Sequence, residues 1–199
     1  MQPEFIERSL TPDPENRRDT EVYTQELDEL DAAMRSALWK RNVLEIAFGN
    51  GHWTARLRTA ANPIPRLTVG TPLQLTKPPY SAWYPGNAPG TYDFASVAGD
   101  CDAGMANFWL AHVHPAHRRS FLDAFHRRIG YDASVFMADY VSTDGIGGER
   151  TSTSCAPYFF EDHLLGLFEP YTRELHLHIG STFWYVYYDA APCSGKLHS

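Results

Sequence analysis

Lysine, cysteine and long apolar runs are all scarce in this chain of 199 residues. Only three lysines occur and the formal net charge is −7, so the sequence offers no basic face to neutralise a run of nucleic-acid phosphates. No stretch approaches the roughly 20 apolar residues that a bilayer-spanning helix needs, and the start lacks the basic-then-apolar order of a signal peptide. We therefore predict a cytoplasmic protein that binds neither nucleic acid nor a membrane.

Metal-binding patterns are also poor. The three cysteines are odd in number and irregularly spaced, which fits neither a disulfide framework nor a zinc site of CxxC pairs, so we expect reduced thiols. His112, His114 and His117 form H-x-H-x-x-H. If a strand ends there and Pro115 opens a helix, the three imidazoles do not share one face, so we predict no metal.

Apolar and aromatic residues are abundant, at 43% and 14% of the chain, and they predict a packed core. The length suits one domain spanning 1–199, with a polar, flexible arm at 1–20 and a tail at 190–199. Strand and helix patterns alternate, which is typical of a parallel sheet with helices on its faces. We predict helices at 21–40, 52–59, 115–128 and 161–169, and strands at 42–47, 63–69, 92–98, 103–113, 134–138, 174–179 and 182–188.

A glycine turn follows the first predicted strand. Residues 43–54 read Val-Leu-Glu-Ile-Ala-Phe-Gly-Asn-Gly-His-Trp-Thr, which places Gly49 and Gly51 between a strand and a helix. Glycine lets a ligand approach the backbone, and a helix start presents unpaired N–H groups, so such a turn can bind an anion or a nucleotide. The string resembles the first motif of the class I S-adenosylmethionine-dependent methyltransferases, in which an acidic residue ends the strand and small residues follow.

The resemblance continues, in order, over residues 21–190. Segments 68–75, 93–100 and 101–109 resemble the second, third and fourth strands of that family. It implies a Rossmann-like three-layer α/β sandwich whose mostly parallel, seven-stranded sheet ends in an antiparallel hairpin. It also implies S-adenosylmethionine as the cofactor, with Glu45 facing its ammonium end and Asp100 accepting a hydrogen bond from the adenine amine. The implied cofactor-binding residues are Glu45, Ala47, Gly49, Gly51, Gly70 and Asp100.

Gly70 stands where the family pattern changes. Nucleotide-binding sheets usually carry an acid for the ribose hydroxyls about 20 residues past the glycine turn, and this chain has Gly70 there. Loss of that partner should cost about 1.5–3 kcal/mol of cofactor affinity. A second hypothesis therefore stays open, a methyltransferase-like protein that has lost or repurposed cofactor binding. A nicotinamide oxidoreductase is disfavoured, because the three-glycine fingerprint and the ribose acid are both missing.

Candidate substrate residues follow the predicted strands. Ligands of open α/β folds bind beyond the carboxyl ends of the strands, and aromatic walls suit a planar or cationic molecule. We expect Trp109, Tyr140 and Tyr158 to bind the substrate. His112 is a candidate general base because imidazole titrates near neutral pH, although a polar histidine at a helix entrance needs no such role. The predicted reaction is methyl transfer to an oxygen or nitrogen atom of a small aromatic metabolite.

Overall fold

The computed structural model describes residues 17–46, 51–58, 66–70, 94, 100–113, 115–141 and 159–191, with the backbone alone for 17–20, 66–70 and 112. Three short 3₁₀ helices join the longer elements: Leu110–His112, Pro115–His117 and Glu169–Tyr171. The other elements are α1 (Arg17–Ala37), β1 (Asn42–Ile46), α2 (His52–Leu57), β2 (Arg66–Gly70), β3 (Ala103–Asn107), α3 (Arg118–Ile129), β4 (Ser134–Tyr140), α4 (Glu161–Phe168), β5 (His176–Ile179) and β6 (Phe183–Asp189).

Six strands form one mixed sheet in the order β2-β1-β3-β4-β6-β5. The four strands β2, β1, β3 and β4 run parallel, whereas β6 pairs antiparallel with β4 and β5 pairs antiparallel with β6. The parallel strands therefore end together at one border of the sheet, here named the carboxyl edge. The Rossmann-like α/β architecture is confirmed. The predicted strand at 92–98 lies outside the described residues except for Phe94, so a seventh strand stays a prediction.

Each face of the sheet is covered by helices, because alternate residues of a strand point to opposite sides. On one face α1 and α2 pack against the sheet, with Leu30 and Met34 among the buried side chains that surround Val43 and Phe136. On the other face α3 and α4 do the same, and the packing is close at Gly104 of β3. A Cβ atom at Gly104 would overlap the ring of Phe125 in α3.

Helix α1 is fastened to the turn between β5 and β6. The Glu26 carboxylate accepts hydrogen bonds from the backbone N–H groups of Ser181, Thr182 and Phe183, at 2.7, 2.8 and 3.2 Å, and from the Ser181 hydroxyl. Burial raises the pKa of Glu26, but these hydrogen bonds outweigh it and the net pKa is lowered. The helix begins at Arg17, so its first turn falls inside the segment 1–20 that the sequence predicts to be a flexible arm.

Strand β3 is shorter than the sequence predicts. It ends at Asn107, and the prediction of a strand as far as residue 113 is wrong. Phe108 adopts a φ of 53°, which turns the chain out of the strand direction. The next residues form the 3₁₀ helix Leu110–His112. None of the described helices combines the length and apolar character needed to cross a bilayer.

Candidate functional site

A buried carboxylate lies near the end of β1. Glu45 is only 2% exposed, and the hydroxyl of Thr54 in α2 donates a hydrogen bond of 2.6 Å to its Oε2 atom. Burial raises the pKa of Glu45, and the Thr54 hydrogen bond offsets part of that rise. Helix α2 reaches this position because Gly51, with φ of 82°, supplies the left-handed conformation that precedes it.

The predicted cofactor residues are only partly brought together. Glu45 accepts a hydrogen bond from Thr54, three residues after Gly51, and the backbone of Gly70 pairs with Ile46 at the carboxyl edge. Ala47 and Gly49 lie outside the described residues. The carboxylate near the turn, which the sequence predicts at Glu45, is therefore present in a buried setting.

Asp100 is not placed beside Glu45. It is exposed and lies two residues before Asp102, whose N–H donates to the carbonyl of Asn42 at the start of β1. This is the opposite border of the sheet from the carboxyl edge. Three residues reach about 10 Å, whereas a five-residue strand is about 17 Å long, so Asp100 and the start of β3 must lie near the same border. The short connection that precedes β3 is the sequence signal for this placement.

The predicted substrate residues are divided between the two faces. Tyr140, at the end of β4, packs with the cluster on the α1/α2 face, whereas Trp109 is buried in the cluster on the α3/α4 face. His112 is the last residue of the 3₁₀ helix after β3, and only its backbone is described. Tyr158 lies outside the described residues. Trp109 and Tyr140 therefore do not form one wall.

An aromatic cluster fills the α1/α2 face at the carboxyl edge. The ring of Phe108 stacks on Trp53 of α2 at 5.5 Å and lies 4.8 Å from Tyr140, which in turn is 5.2 Å from Phe183. Burial raises the pKa of Tyr140 far above its ordinary value, with the neighbouring Tyr23 and Asp139 adding to the rise. Tyr140 therefore remains a neutral phenol and serves the packing of this edge.

Asn107 is a polar residue of this region that sequence reasoning missed. It ends β3, is 6% exposed, and donates from Nδ2 to the Met34 sulfur at 3.4 Å. Its Oδ1 atom is buried and accepts no hydrogen bond from the described residues. Because Glu45 pairs with Met105 in the parallel register, Asn107 lies on the same face as Glu45 and two residues nearer the carboxyl edge. An amide at the end of an apolar strand was the available signal.

Asp139 is a second missed residue, on the α3/α4 face. It is 1% exposed, its Oδ2 accepts the N–H of Ala111 at 2.7 Å, and its Oδ1 accepts the N–H of Tyr140 at 2.9 Å. Burial raises the pKa of Asp139 to about 6, against the lowering effects of these hydrogen bonds and of the nearby Arg118. A buried carboxylate with both oxygens occupied is suited to holding backbone.

Arg118 opens α3 beside Asp139. Its Nε donates to the carbonyl of Val113 at 3.2 Å, and its guanidinium carbon lies 4.6 Å from the centre of the Phe159 ring. Burial lowers the pKa of Arg118, which the negative charge of Asp139 partly restores. Among the described residues no group of three or more metal-ligating side chains exists, and of the H-x-H-x-x-H motif only the His117 side chain is described.

Sequence comparison gives no relatives, since no family model and no curated protein matches this chain. Solved structures do match. The N-methyltransferase NodS from Bradyrhizobium japonicum WM9, in complex with S-adenosyl-L-homocysteine, aligns with a TM-score of 0.54 and 18% identity over 94% of this chain and 96% of its own.

Two further structures agree. The 1,6-didemethyltoxoflavin-N1-methyltransferase of Burkholderia thailandensis aligns with a TM-score of 0.56 and 18% identity over 82% of this chain and 77% of its own. The magnesium protoporphyrin IX methyltransferase of Synechocystis PCC 6803 aligns with a TM-score of 0.54 and 14% identity over 92% and 91%. At these identities the likeness concerns the fold. The chain therefore has the fold of the class I S-adenosylmethionine-dependent methyltransferases.

Proposed function

We propose that this chain is an S-adenosylmethionine-dependent methyltransferase that acts on an oxygen or nitrogen atom of a small aromatic metabolite. The observation that carries the proposal is the buried Glu45 carboxylate, held by Thr54 beside the Gly51 turn at the carboxyl edge of a methyltransferase-like sheet. This edge is where open α/β folds bind their ligands. The seven-stranded sheet with a terminal hairpin belongs to the same proposal.

The similar structures support this choice. NodS is an N-methyltransferase bound to S-adenosyl-L-homocysteine, and the B. thailandensis enzyme holds both S-adenosylhomocysteine and 1,6-didemethyltoxoflavin. A sheet of the same kind in this chain, with Glu45 and the Gly51 turn at its carboxyl edge, favours the same cofactor. Fold alone does not fix function, so the residues must carry the argument.

The residues near the turn suit this cofactor. In a low-dielectric setting a carboxylate attracts an ammonium group far more strongly than in water, and a bound cation would bring the raised pKa of Glu45 down. The buried Oδ1 of Asn107 can accept a hydrogen bond from the same ligand. Gly51, together with Ala47, Gly49 and the backbone of Gly70, completes the proposed set. S-adenosylmethionine, when bound, supplies a methyl group on a sulfonium that is displaced in line.

Two tasks fall to the residues that contact the methyl acceptor: they position it, and one of them removes its proton. Aligning two reactants in a site accounts for much of the catalysis of such displacements. We assign Trp109 and Tyr158 to contact with the acceptor, and His112 to removal of its proton. Tyr140, buried in the aromatic cluster, supports the edge from the other face.

A second candidate function is a methyltransferase-like protein without cofactor binding. The observation that favours it is Gly70, which ends β2 beside Ile46 and so puts no carboxylate at the place where a ribose would be bound. Such a protein would keep the fold and act as a non-methylating enzyme or as a partner of another protein.

Calorimetric titration with S-adenosylmethionine separates the two candidates. Binding to the native state raises the melting temperature with ligand concentration, so a measurable heat and a rising melting temperature are expected for S-adenosylmethionine and S-adenosylhomocysteine. Adenosine, which lacks the amino-acid end that Glu45 would bind, serves as the control and should bind more weakly. Absence of heat and of any thermal shift with both sulfur ligands at millimolar concentration would favour the second candidate.

A further inference from the structure

The chain that follows β3 is fastened to the end of β4. The N–H of Phe108 donates to the carbonyl of Ala138 at 2.7 Å, and the N–H of Ala111 donates to the Asp139 carboxylate at 2.7 Å. Consecutive residues of β4 therefore hold two points of the segment 108–113. The apolar side chains of Leu110 and Val113 are buried in the core of the α3/α4 face, and this packing also holds the segment in place.

The two charged residues of this region hold the backbone on either side of His112. Asp139 accepts the N–H of Ala111, which precedes His112, and Arg118 donates from Nε to the carbonyl of Val113, which follows it. The backbone of His112 is thus bracketed by an anion and a cation from two different elements. No other residue of the 3₁₀ helix Leu110–His112 is held from both sides in this way among the described contacts.

This arrangement is costly if stability alone is considered. A carboxylate that is 1% exposed has lost nearly all of its water, and a desolvated charge is unfavourable unless it is paired and hydrogen-bonded. Apolar residues of similar volume often fill such positions at no loss of stability. Groups of this kind are found preferentially at functional sites, and this one lies at the carboxyl edge, where it touches the segment that carries Trp109 and His112.

We propose that Asp139 and Arg118 are positioning residues for the methyl transfer: together they fix the backbone at Ala111 and Val113 and so set where His112 stands relative to the acceptor. The proposal rests on the proposed function and assigns both residues to its acceptor side. The cofactor side, around Glu45 on the other face of the sheet, is not involved.

The first test is amide hydrogen exchange and NMR titration of the full chain, with Asp139→Asn and Arg118→Gln. Asparagine keeps the volume of Asp139, but its amide NH₂ replaces one of the two oxygens. One of the two backbone N–H groups then faces a donor and loses its hydrogen bond. We expect exchange at Ala111 to accelerate at least about tenfold in Asp139→Asn, as local opening becomes easier. In the unaltered chain the Ala111 amide signal should titrate with a midpoint near the Asp139 pKa of about 6, and the variant should lose that titration.

Two matched controls come from the same fold. The Asp102 carboxylate accepts the N–H of Asn42 at the opposite border of the sheet, and Arg119 donates to the carbonyl of Gly166. Asp102→Asn and Arg119→Gln should leave the Ala111 exchange rate and titration unchanged. For any acceptor that the chain methylates, kcat should fall at least about tenfold in Asp139→Asn and Arg118→Gln, while the KM for S-adenosylmethionine changes less than about threefold.

The proposal is overturned if the Ala111 amide neither titrates near pH 6 nor exchanges faster in Asp139→Asn, or if exchange rises equally throughout β4 and β6. Titration of the unaltered chain tests the contact between Asp139 and Ala111 even if the variant does not fold, and an unchanged kcat in both Asp139→Asn and Arg118→Gln would also overturn the proposal. A chain that binds no S-adenosylmethionine contradicts the proposed function instead, and the Ala111 measurements still report whether Asp139 holds the backbone.

Discussion

Two buried carboxylates near the carboxyl edge lie on opposite faces of the sheet and differ in what holds them. Glu45, on the α1/α2 face, accepts a hydrogen bond from the hydroxyl of Thr54, the one side-chain donor to it within the part of the chain that the structure describes. Asp139, on the α3/α4 face, has both oxygens occupied by backbone N–H groups. Burial raises the pKa of each, so the charged form of either carboxylate needs hydrogen-bond or charged partners to be stable. This difference agrees with the proposal that Glu45 binds a ligand, whereas Asp139 holds the backbone at Ala111 and Tyr140.

Glu45→Gln should produce the largest effect and tests this difference directly. The amide can still accept from Thr54 but removes the charge that would attract an ammonium group. A hydrogen bond to a charged group contributes about 1.5–3 kcal/mol, so the Kd for S-adenosylmethionine should rise about 10- to 150-fold in calorimetry.

The matched control for this change is Asp139→Asn, which alters a carboxylate on the opposite face. It should change the same Kd less than about threefold, because its oxygens serve the backbone. Equal effects of the two substitutions would remove the distinction between a ligand-facing and a structural carboxylate.

The α3/α4 face also holds a buried histidine that should make the free energy of unfolding depend on pH. His126 is buried there, with Nδ1 bonded to the carbonyl of Leu122 at 2.6 Å and Nε2 bonded to the hydroxyl of Tyr188 at 3.0 Å. This pattern assigns the proton to Nδ1 of a neutral ring. Burial lowers the pKa of His126, with partial compensation from the Leu122 carbonyl and Asp123.

The sign of the effect follows from proton binding. Below the unfolded value of about 6.5 the unfolded chain binds a proton that native His126 does not, so the free energy of unfolding should fall as the pH drops below it. Asp139 acts in the opposite direction, because its raised pKa makes the native state take up a proton first. Urea unfolding across pH 5 to 8 should therefore show a steeper acid loss in Asp139→Asn and a flatter one in His126→Gln. Identical profiles for the two variants would contradict both assignments.

Asp100→Ala should have the smallest effect on cofactor binding. Asp100 is exposed and lies near the border opposite Glu45, so the Kd for S-adenosylmethionine should stay within about twofold, in line with the roughly 0.5 kcal/mol typical of surface changes. Glu161→Gln, an exposed acid at the start of α4, is the control. A rise in Kd comparable to that expected for Glu45→Gln would instead support the adenine contact that the sequence predicts for Asp100.

Much of the fold could be predicted from the sequence, because the strongest signals are local. The apolar run at 134–138 and the periodic apolar face at 115–128 predict β4 and α3, which the structure places at Ser134–Tyr140 and Arg118–Ile129. The end of β3 could not be predicted in this way. Leu110 and Val113 are as apolar as residues of a buried strand, so the sequence pattern does not show where the strand ends. The structure shows that the chain turns at Phe108 and that both side chains reach the core from the segment beyond that turn.

The buried carboxylate near the glycine turn could be predicted because it depends on one stretch of chain. Glu45 and the Gly51 turn lie within ten residues of each other, and their pattern is visible in the sequence. The pairing of Asp139 with Ala111 spans 28 residues and depends on two parallel strands lying side by side. Long-range contacts of this kind leave only a weak trace in the sequence, here an acid that follows an apolar run. Asp100 illustrates the converse, since its short connection to β3 holds it near the border of the sheet opposite the carboxyl edge.

The hydrogen bonds of Glu26 affect the order in which parts of the chain can fold during synthesis. Its partners Ser181, Thr182 and Phe183 lie 155 to 157 residues further along the chain, so they leave the ribosome long after α1 does. Until then the stripe of Leu30, Met34 and Leu38, which the finished protein buries, has incomplete cover. Contacts so distant in sequence slow folding and expose nascent chains to aggregation.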